Sequence, residues 1–120
     1  MKSGMYTYNA KMERVVDGDT VDALVDLGFD TWKKVRIRLM GMNAPESRTR
    51  DLDEKKRGLA AKQYLHDLLE SNDFIFFLKS HGVGKYGRCL GEIFLEDNEV
   101  SANQIMINEG HAVPYYGGKR

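Results

Sequence analysis

Apolar and polar side chains alternate through much of the first forty residues. In VRIRL (35–39) the apolar positions alternate with Arg36 and Arg38. The stretch TVDALVDL shows the same period, and its apolar set is Val21, Ala23, Val25 and Leu27. A period of two predicts strands with one face in a core. With AKMERVV ahead of them and short turns at DG (17–18) and GFD (28–30), these runs predict a meander of three strands.

The next part of the chain predicts a helix and two more strands. The segment SRTRDLDEKKR from Ser47 onward is highly charged and aperiodic, so we expect an exposed loop that enters a helix. In GLAAKQYLHDLLE the apolar side chains follow the spacing of an amphipathic helix, and they are Ala61, Leu65, Leu68 and Leu69. FIFFLK (74–79) then predicts a buried strand, GRCLGEIFL another strand, and EDNE (96–99) a hairpin turn.

A short second helix is indicated near the end of the chain. Ser101 and Gln104 fit a capping box ahead of IMINE, and Gly110 stands where a helix-ending glycine is expected. The whole order is three strands, a helix, two strands and a helix. It favours a mainly β fold with helices (α+β), namely a five-stranded Greek-key barrel of the OB type with two or three helices packed outside. With 120 residues and no repeat or linker, a single domain over 1–120 is expected.

Composition excludes several classes of function. The 18 basic and 18 acidic residues cancel, which argues against bulk electrostatic binding of nucleic acid but not against an enzyme that holds a few phosphates. The single cysteine excludes a disulfide framework and a multi-cysteine zinc site, and the three histidines show no metal-binding spacing. No stretch is long enough to span a membrane and the N-terminus has no signal-peptide pattern, so a cytoplasmic protein is expected unless a signal was removed.

Three stretches concentrate ionisable residues at the ends of predicted strands: VDGDT (16–20), RLMGMNAPE (38–46) and GKYGR (84–88). Each alone also fits a structural role as a tight turn, a solvated strand face or a glycine-punctuated loop. Together they contain what phosphodiester hydrolysis needs: arginines for a phosphate, a carboxylate for water, and oxygen ligands for a hard cation. The residues of these types are Arg38, Arg88, Glu46 and Asp19.

In this order the DGDT turn, the RL-x-G-x-(D/N)-APE strand end and KYGR resemble the staphylococcal nuclease-like (thermonuclease) family, from about Val15 to Gly110. The resemblance implies the five-stranded OB barrel and a calcium-dependent nuclease that cleaves DNA, RNA or both. By position, Arg38 and Arg88 are similar to the arginines that hold the scissile phosphate and stabilise the transition state. Glu46 is similar to the glutamate that acts as general base or orients the attacking water.

The resemblance also implies a Ca²⁺ site. Asp19 is similar to a calcium ligand of the family, and Asp17 and Thr20 are similar to residues that support it. Ala44 replaces a threonine that binds calcium through its backbone carbonyl, so that ligand is retained. Asn43 replaces the more usual aspartate, and its amide oxygen still coordinates calcium but with one charge less. We therefore expect a working site with weaker calcium binding.

Lys85 and Tyr86 match family residues that contact the terminal phosphate and the base of the substrate, and Tyr115 or Tyr116 completes that pocket. The structural alternative for Tyr86 is packing at the barrel edge. Outside the three signatures, Arg36 is expected to be a solvated neighbour. Cys89 and Trp32 are expected in the core or the barrel wall.

The alternative function is a catalytically weak or inactive OB-fold module of the same family that binds nucleic acid. Degenerate domains usually lose at least one catalytic residue, whereas this sequence retains Arg38, Glu46 and Arg88. The sequence therefore favours the enzyme, a monomer that acts on nucleic acid without a membrane partner.

Overall fold

The computed structural model describes residues 7–83, 88–95 and 100–115. In chain order its elements are β1 (Thr7–Asp17), β2 (Thr20–Asp26), β3 (Trp32–Leu39), β4 (Met42–Asn43), α1 (Leu52–Glu70), β5 (Ile75–Val83), β6 (Cys89–Phe94), α2 (Ala102–Asn108) and β7 (Val113–Pro114).

Five strands form a closed barrel in the order β1-β2-β3-β6-β5. Neighbours are antiparallel except β3 and β6, which run parallel, and β1 pairs with β5 to close the barrel. The short strands β4 and β7 form a separate two-stranded sheet. This architecture confirms the predicted five-stranded OB barrel with helices.

The core lies inside the barrel and under α1. Its largest fully buried side chains include Phe76, Ile37, Leu39, Leu65 and Leu69. Three of the four residues predicted for the apolar face of α1 are fully buried and Leu68 packs against the core, so the predicted amphipathic helix is confirmed.

Side chains and glycine fix the ends of the helices where the sequence places them. The Asp51 carboxylate accepts hydrogen bonds from the backbone N–H groups of Asp53 and Glu54 at the start of α1. The Ser101 hydroxyl accepts one from the Gln104 N–H at the start of α2. Gly110 follows α2 with φ 81°, the left-handed conformation that favours glycine after a helix. Neither described helix combines the length and apolar character that a bilayer crossing requires.

Some predicted burial is wrong because strands end or turn a face to solvent. Leu27 lies beyond the last residue of β2 and is 45% exposed. In β5 the side chains of Phe76 and Leu78 point inward, whereas Phe77 between them is 40% exposed. Trp32 belongs to the barrel wall as expected. It is half exposed because its side chain points outward from β3, away from the core. The predicted hairpin turn at 96–99 lies outside the described residues.

Candidate active site

The DGDT turn and the end of β3 meet at one end of the barrel. Thr20 at the start of β2 is paired with Arg38 near the end of β3, and the Leu39 N–H donates to the Asp19 carbonyl at 2.8 Å. Ile37 and Leu39 are fully buried in the core. Alternation along the strand therefore turns Arg38 to the outer face.

Four acceptors surround the Arg38 guanidinium. Nη1 donates to the carbonyl oxygens of Leu39 at 2.7 Å and Met42 at 2.9 Å, and Nη2 donates to Asn43 Oδ1 at 2.6 Å. Nη2 also lies 3.8 Å from Asp19 Oδ2, and both side chains of this ion pair are 14% exposed. The arginine is thus held in one place, and these bonds do not exhaust its five N–H donors.

Asp19 joins the turn to the loop that follows β4. Its Oδ2 accepts the Ala44 N–H at 3.1 Å and its Oδ1 accepts the Thr20 hydroxyl at 3.0 Å. Through Arg38, Asp19 is also linked to Asn43. The three residues predicted to hold calcium, and the predicted supporting residue Thr20, are therefore neighbours in space.

The donor set has the chemistry that a hard cation prefers. Asp19 offers carboxylate oxygen, Asn43 offers amide oxygen, and Ala44 offers a backbone carbonyl, and Ca²⁺ binds oxygen ligands of these three kinds. Only one of the three carries a formal charge. The Arg38 cation already contacts Asn43 and Asp19, so an ion bound here shares both ligands with that arginine.

Asp17 and Gly18, in the same turn, contact the loop after β4, and Gly18 also packs against α1. Asp17 Oδ1 accepts the N–H of Ser47 at 3.3 Å and also its hydroxyl. A Cβ on Gly18 would lie 2.7 Å from Ala61 Cβ and 3.0 Å from Ala44 Cβ. Only glycine therefore lets the turn pack between α1 and the loop. The supporting role predicted for Asp17 remains a prediction, but its actual partner, Ser47, was not foreseen.

Glu46 is exposed, and its backbone rests on α1. Its N–H donates to Glu54 Oε2 at 3.2 Å. A Cβ on Gly58 would lie 2.2 Å from the Glu46 carbonyl oxygen and 2.7 Å from the Ser47 nitrogen. The helix thus touches the loop through a residue without a side chain. A glycine inside a helix lowers stability by about 1 kcal/mol relative to alanine. Gly58 within a predicted helix was therefore a sequence signal for a close contact at that position.

Arg88 directly precedes β6, the strand that pairs with β3. Parallel pairing places Cys89 opposite Ile37 and Leu90 opposite Arg38. Arg88 therefore comes one residue before the Ile37–Cys89 pair and Arg38 one residue after it, so the two arginines are offset by two positions along the paired strands. Cys89 packs against the core as predicted.

The residues predicted to hold the rest of the substrate are only partly described. Lys85, Tyr86 and Tyr116 lie outside the described residues. The Tyr115 N–H donates to the Gly41 carbonyl at 2.9 Å, beside the β4–β7 sheet. That bond brings the chain near Tyr115 to the loop that carries Asn43.

A buried aspartate sits next to the site on β2. Asp22 lies between Arg14 and Arg36, with 2.7 and 3.0 Å hydrogen bonds from Arg36 and one of 3.3 Å from Arg14. Hydrogen bonding from Arg36 is the main cause that holds the pKa of the Asp22 carboxyl below its usual value, with burial acting in the opposite direction. Arg36 is therefore ion-paired as well as partly solvated.

A second group of possible metal ligands lies on α1, away from the three signatures. His66, Asp67 and Glu70 place one ligand atom each within 4.8 Å of one another. His66 and Glu70 are four residues apart on the helix, a spacing that was overlooked in the sequence. Exposed acidic groups are common on proteins without a bound metal, so this group alone does not indicate a metal site.

Comparison with known proteins identifies relatives of this chain. A family model described as staphylococcal nuclease homologue matches residues 36–120. The micrococcal nuclease of Shigella flexneri is 32% identical over 93% of this chain and 62% of its own length. Endonuclease YhcR of Bacillus subtilis is 30% identical over 91% of this chain and 9% of its own length. An uncharacterized endonuclease of Escherichia coli O157:H7 is 29% identical over 89% of this chain and 61% of its own length.

This chain therefore spans less than two thirds of each of these relatives. The family match covers well over half of the chain and includes the NAPE and KYGR signatures. The chain belongs to the staphylococcal nuclease homologue family.

Proposed function

We propose that this protein is a calcium-dependent nuclease that hydrolyses phosphodiester bonds of DNA, RNA or both. The observation that supports it most is the position of Arg38, whose guanidinium is 3.8 Å from the Asp19 carboxylate and bonded to Asn43. A fixed arginine beside a set of oxygen ligands is an arrangement suited to binding and polarising a phosphate.

Arg38 and Arg88 act on the phosphate in this proposal. Planar guanidinium groups pair with phosphate oxygens through two parallel N–H donors and stabilise negative charge that grows in the transition state. Arg38 is already held by backbone carbonyls, so little reorganisation accompanies binding of the phosphate. Arg88, next to the start of the paired strand β6, would supply the second guanidinium.

Glu46 takes the proton from the attacking water, or orients that water, as the carboxylate of the site. Its side chain is exposed, so water and substrate reach it freely. The backbone of Glu46 is held by Glu54 and by the close contact with Gly58. These two contacts help to fix where the Glu46 side chain leaves the backbone.

Asp19, Asn43 and the Ala44 carbonyl would hold the calcium ion, with Asp17 and Thr20 orienting the turn around them. Bound there, calcium would polarise the phosphoryl oxygen and add positive charge that the neutral Asn43 does not offset. Lys85, Tyr86 and Tyr115 would contact the terminal phosphate and base of the substrate. We further propose that the chain acts as a monomeric single domain.

A chelation experiment tests the proposal. Purified protein is incubated with labelled single-stranded DNA, double-stranded DNA and RNA, first in excess EGTA and then with Ca²⁺ or Mg²⁺ added back. We expect no cleavage in chelator and restored cleavage with Ca²⁺. Full activity in EGTA would refute the calcium site. Absence of cleavage under every condition, with polynucleotide still bound, would instead identify a binding module.

A further inference from the structure

The outer face of β1, β2 and β3 carries cations in rows that lead away from the candidate site. Leu24 of β2 is flanked by Lys11 on β1 and Lys34 on β3, and Asp22 is flanked by Arg14 and Arg36. With Arg38 at the end of β3, five cations share this face. The anions there are Glu13, Asp22 and Asp26, together with Asp19 beside Arg38, so the cations exceed the anions by one. Because the whole chain is neutral, this surplus marks the face as suited to a polyanion.

Trp32 lies at the far end of the same face. It occupies the same set of alternate positions on β3 as Lys34, Arg36 and Arg38, so all four side chains leave the strand in one direction. Arg38 lies six positions along the strand from Trp32, which corresponds to about 20 Å. The Trp32 side chain is 50% exposed, so a large aromatic surface lies open to solvent in line with the phosphate-binding arginine.

The ion pairs on this face orient its arginines without using all of their donors. Arg36 gives Nε and Nη2 to Asp22, and a guanidinium has five N–H donors. Lys34 is 3.7 Å from Glu13 and its side chain is still 71% exposed. The exposed Lys34–Glu13 pair contributes little to stability, so Lys34 remains available to a phosphate backbone.

We propose that the outer face of β1–β3 binds the single-stranded part of the substrate next to the cleaved bond, with Trp32 stacked on a base and Lys34 and Arg36 on the phosphates. The inference rests on the proposed nuclease function for the choice of polynucleotide as the ligand. Stacking on an aromatic ring beside basic side chains is how proteins hold single strands without reading their sequence.

The single tryptophan of the chain makes the test direct. The intrinsic fluorescence of the protein is titrated in EDTA, without turnover, with a single-stranded oligonucleotide of about 20 nucleotides, and in parallel with a dinucleotide. We expect the long strand to quench Trp32 and the dinucleotide, held at Arg38, to leave the emission unchanged. Saturable binding without any change in emission would overturn the proposal.

Variants assign the binding to this face. Trp32→Ala should weaken binding of the labelled long strand about tenfold and Trp32→Phe much less, because stacking is retained. Lys34→Ala should weaken binding, whereas Lys56→Ala, which removes the same charge from α1, should not. Equal losses in both lysine variants would show general electrostatic attraction and refute the site.

The same measurements distinguish strand binding at this face from dimer formation and from the nuclease function. Concentration-dependent emission of Trp32 without nucleic acid, together with a dimer in sedimentation, would assign the face to a second copy and overturn the proposal. A protein that never cleaves but shows the quenching and the Trp32→Ala loss would refute the nuclease function while supporting strand binding at this face.

Discussion

Asn43 Oδ1 accepts a 2.6 Å hydrogen bond from Arg38 Nη2, so one amide contacts the arginine proposed for the phosphate and belongs to the set proposed for calcium. The two roles favour different side chains. A carboxylate would attract the ion more strongly, but it would also pair with Arg38, next to the Asp19 carboxylate. The neutral amide positions Arg38 without adding a second charge.

Asn43→Asp should lower the calcium concentration needed for half-maximal cleavage, by roughly tenfold, because affinity rises with the charge of the ligands. Calcium titrations of the initial cleavage rate measure this. Asn108→Asp provides the control, since it adds the same charge at an exposed position on α2. If the calcium requirement of the Asn43 variant does not fall, Asn43 is not a metal ligand.

Glu46→Gln should reduce kcat by about 10²–10⁴-fold, which is the usual contribution of a general base. Its melting temperature should stay unchanged because the side chain is exposed. Single-turnover cleavage and thermal melts are compared with those of Glu109→Gln, an exposed glutamate at the end of α2. Near-normal kcat in the Glu46 variant would exclude this residue from the chemistry.

Gly58→Ala should destabilise the protein although alanine is the better helix former. The added Cβ would lie 2.2 Å from the Glu46 carbonyl, and overpacking of this kind costs about 1–3 kcal/mol. Urea unfolding measures the loss, and kcat should fall with it because the loop that carries Glu46 must shift. Lys56→Ala on the same helix should be neutral or slightly stabilising. A stabilised Gly58 variant would show that the helix does not seat this loop.

Asp22→Asn should lower the free energy of unfolding by about 1–3 kcal/mol at neutral pH, because hydrogen bonds from Arg36 and Arg14 lose their charged acceptor. The pKa of Asp22 is depressed in the folded protein. The contribution of the Asp22 charge to stability is therefore complete above the pKa of an aspartate in the unfolded chain, about 3.9. It is lost as the pH falls through the lower pKa of Asp22 in the folded protein.

The stability difference between wild type and Asp22→Asn should thus be constant from pH 7 to about 5 and shrink below about pH 4. Urea unfolding across that range measures it. Asp30→Asn, in the exposed turn between β2 and β3, is the matched control and should cost much less. A difference independent of pH would mean that packing rather than charge makes Asp22 important.

Much of the fold followed from local patterns because those patterns report burial directly. Alternation located β2 and β3, and the spacing of Ala61, Leu65 and Leu69 located α1. The same patterns failed where a strand has a solvent face, as at Phe77, or where it ends, as at Leu27. Hydrophobicity alone does not show which side of a strand meets water.

The candidate site was predictable only as a set of residue types in order. The contact of Arg38 with Asn43 and that of Asp17 with Ser47 depend on how the turn, the loop and α1 pack. The pairing of Asp22 with two arginines joins three strands. A short stretch of sequence does not predict either kind of contact, because the closed barrel brings the partners together.

The parallel pairing of β3 with β6 has a consequence for how the protein acquires activity. Arg38 and Arg88 are fifty residues apart in the chain, and this pairing joins the end of β3, which carries Arg38, to the start of β6, which Arg88 precedes. Contacts between distant residues form late because a long loop must first be closed. In a partly synthesised or partly folded chain these two strands are not yet joined, so the proposed nuclease activity should arise only when the barrel closes.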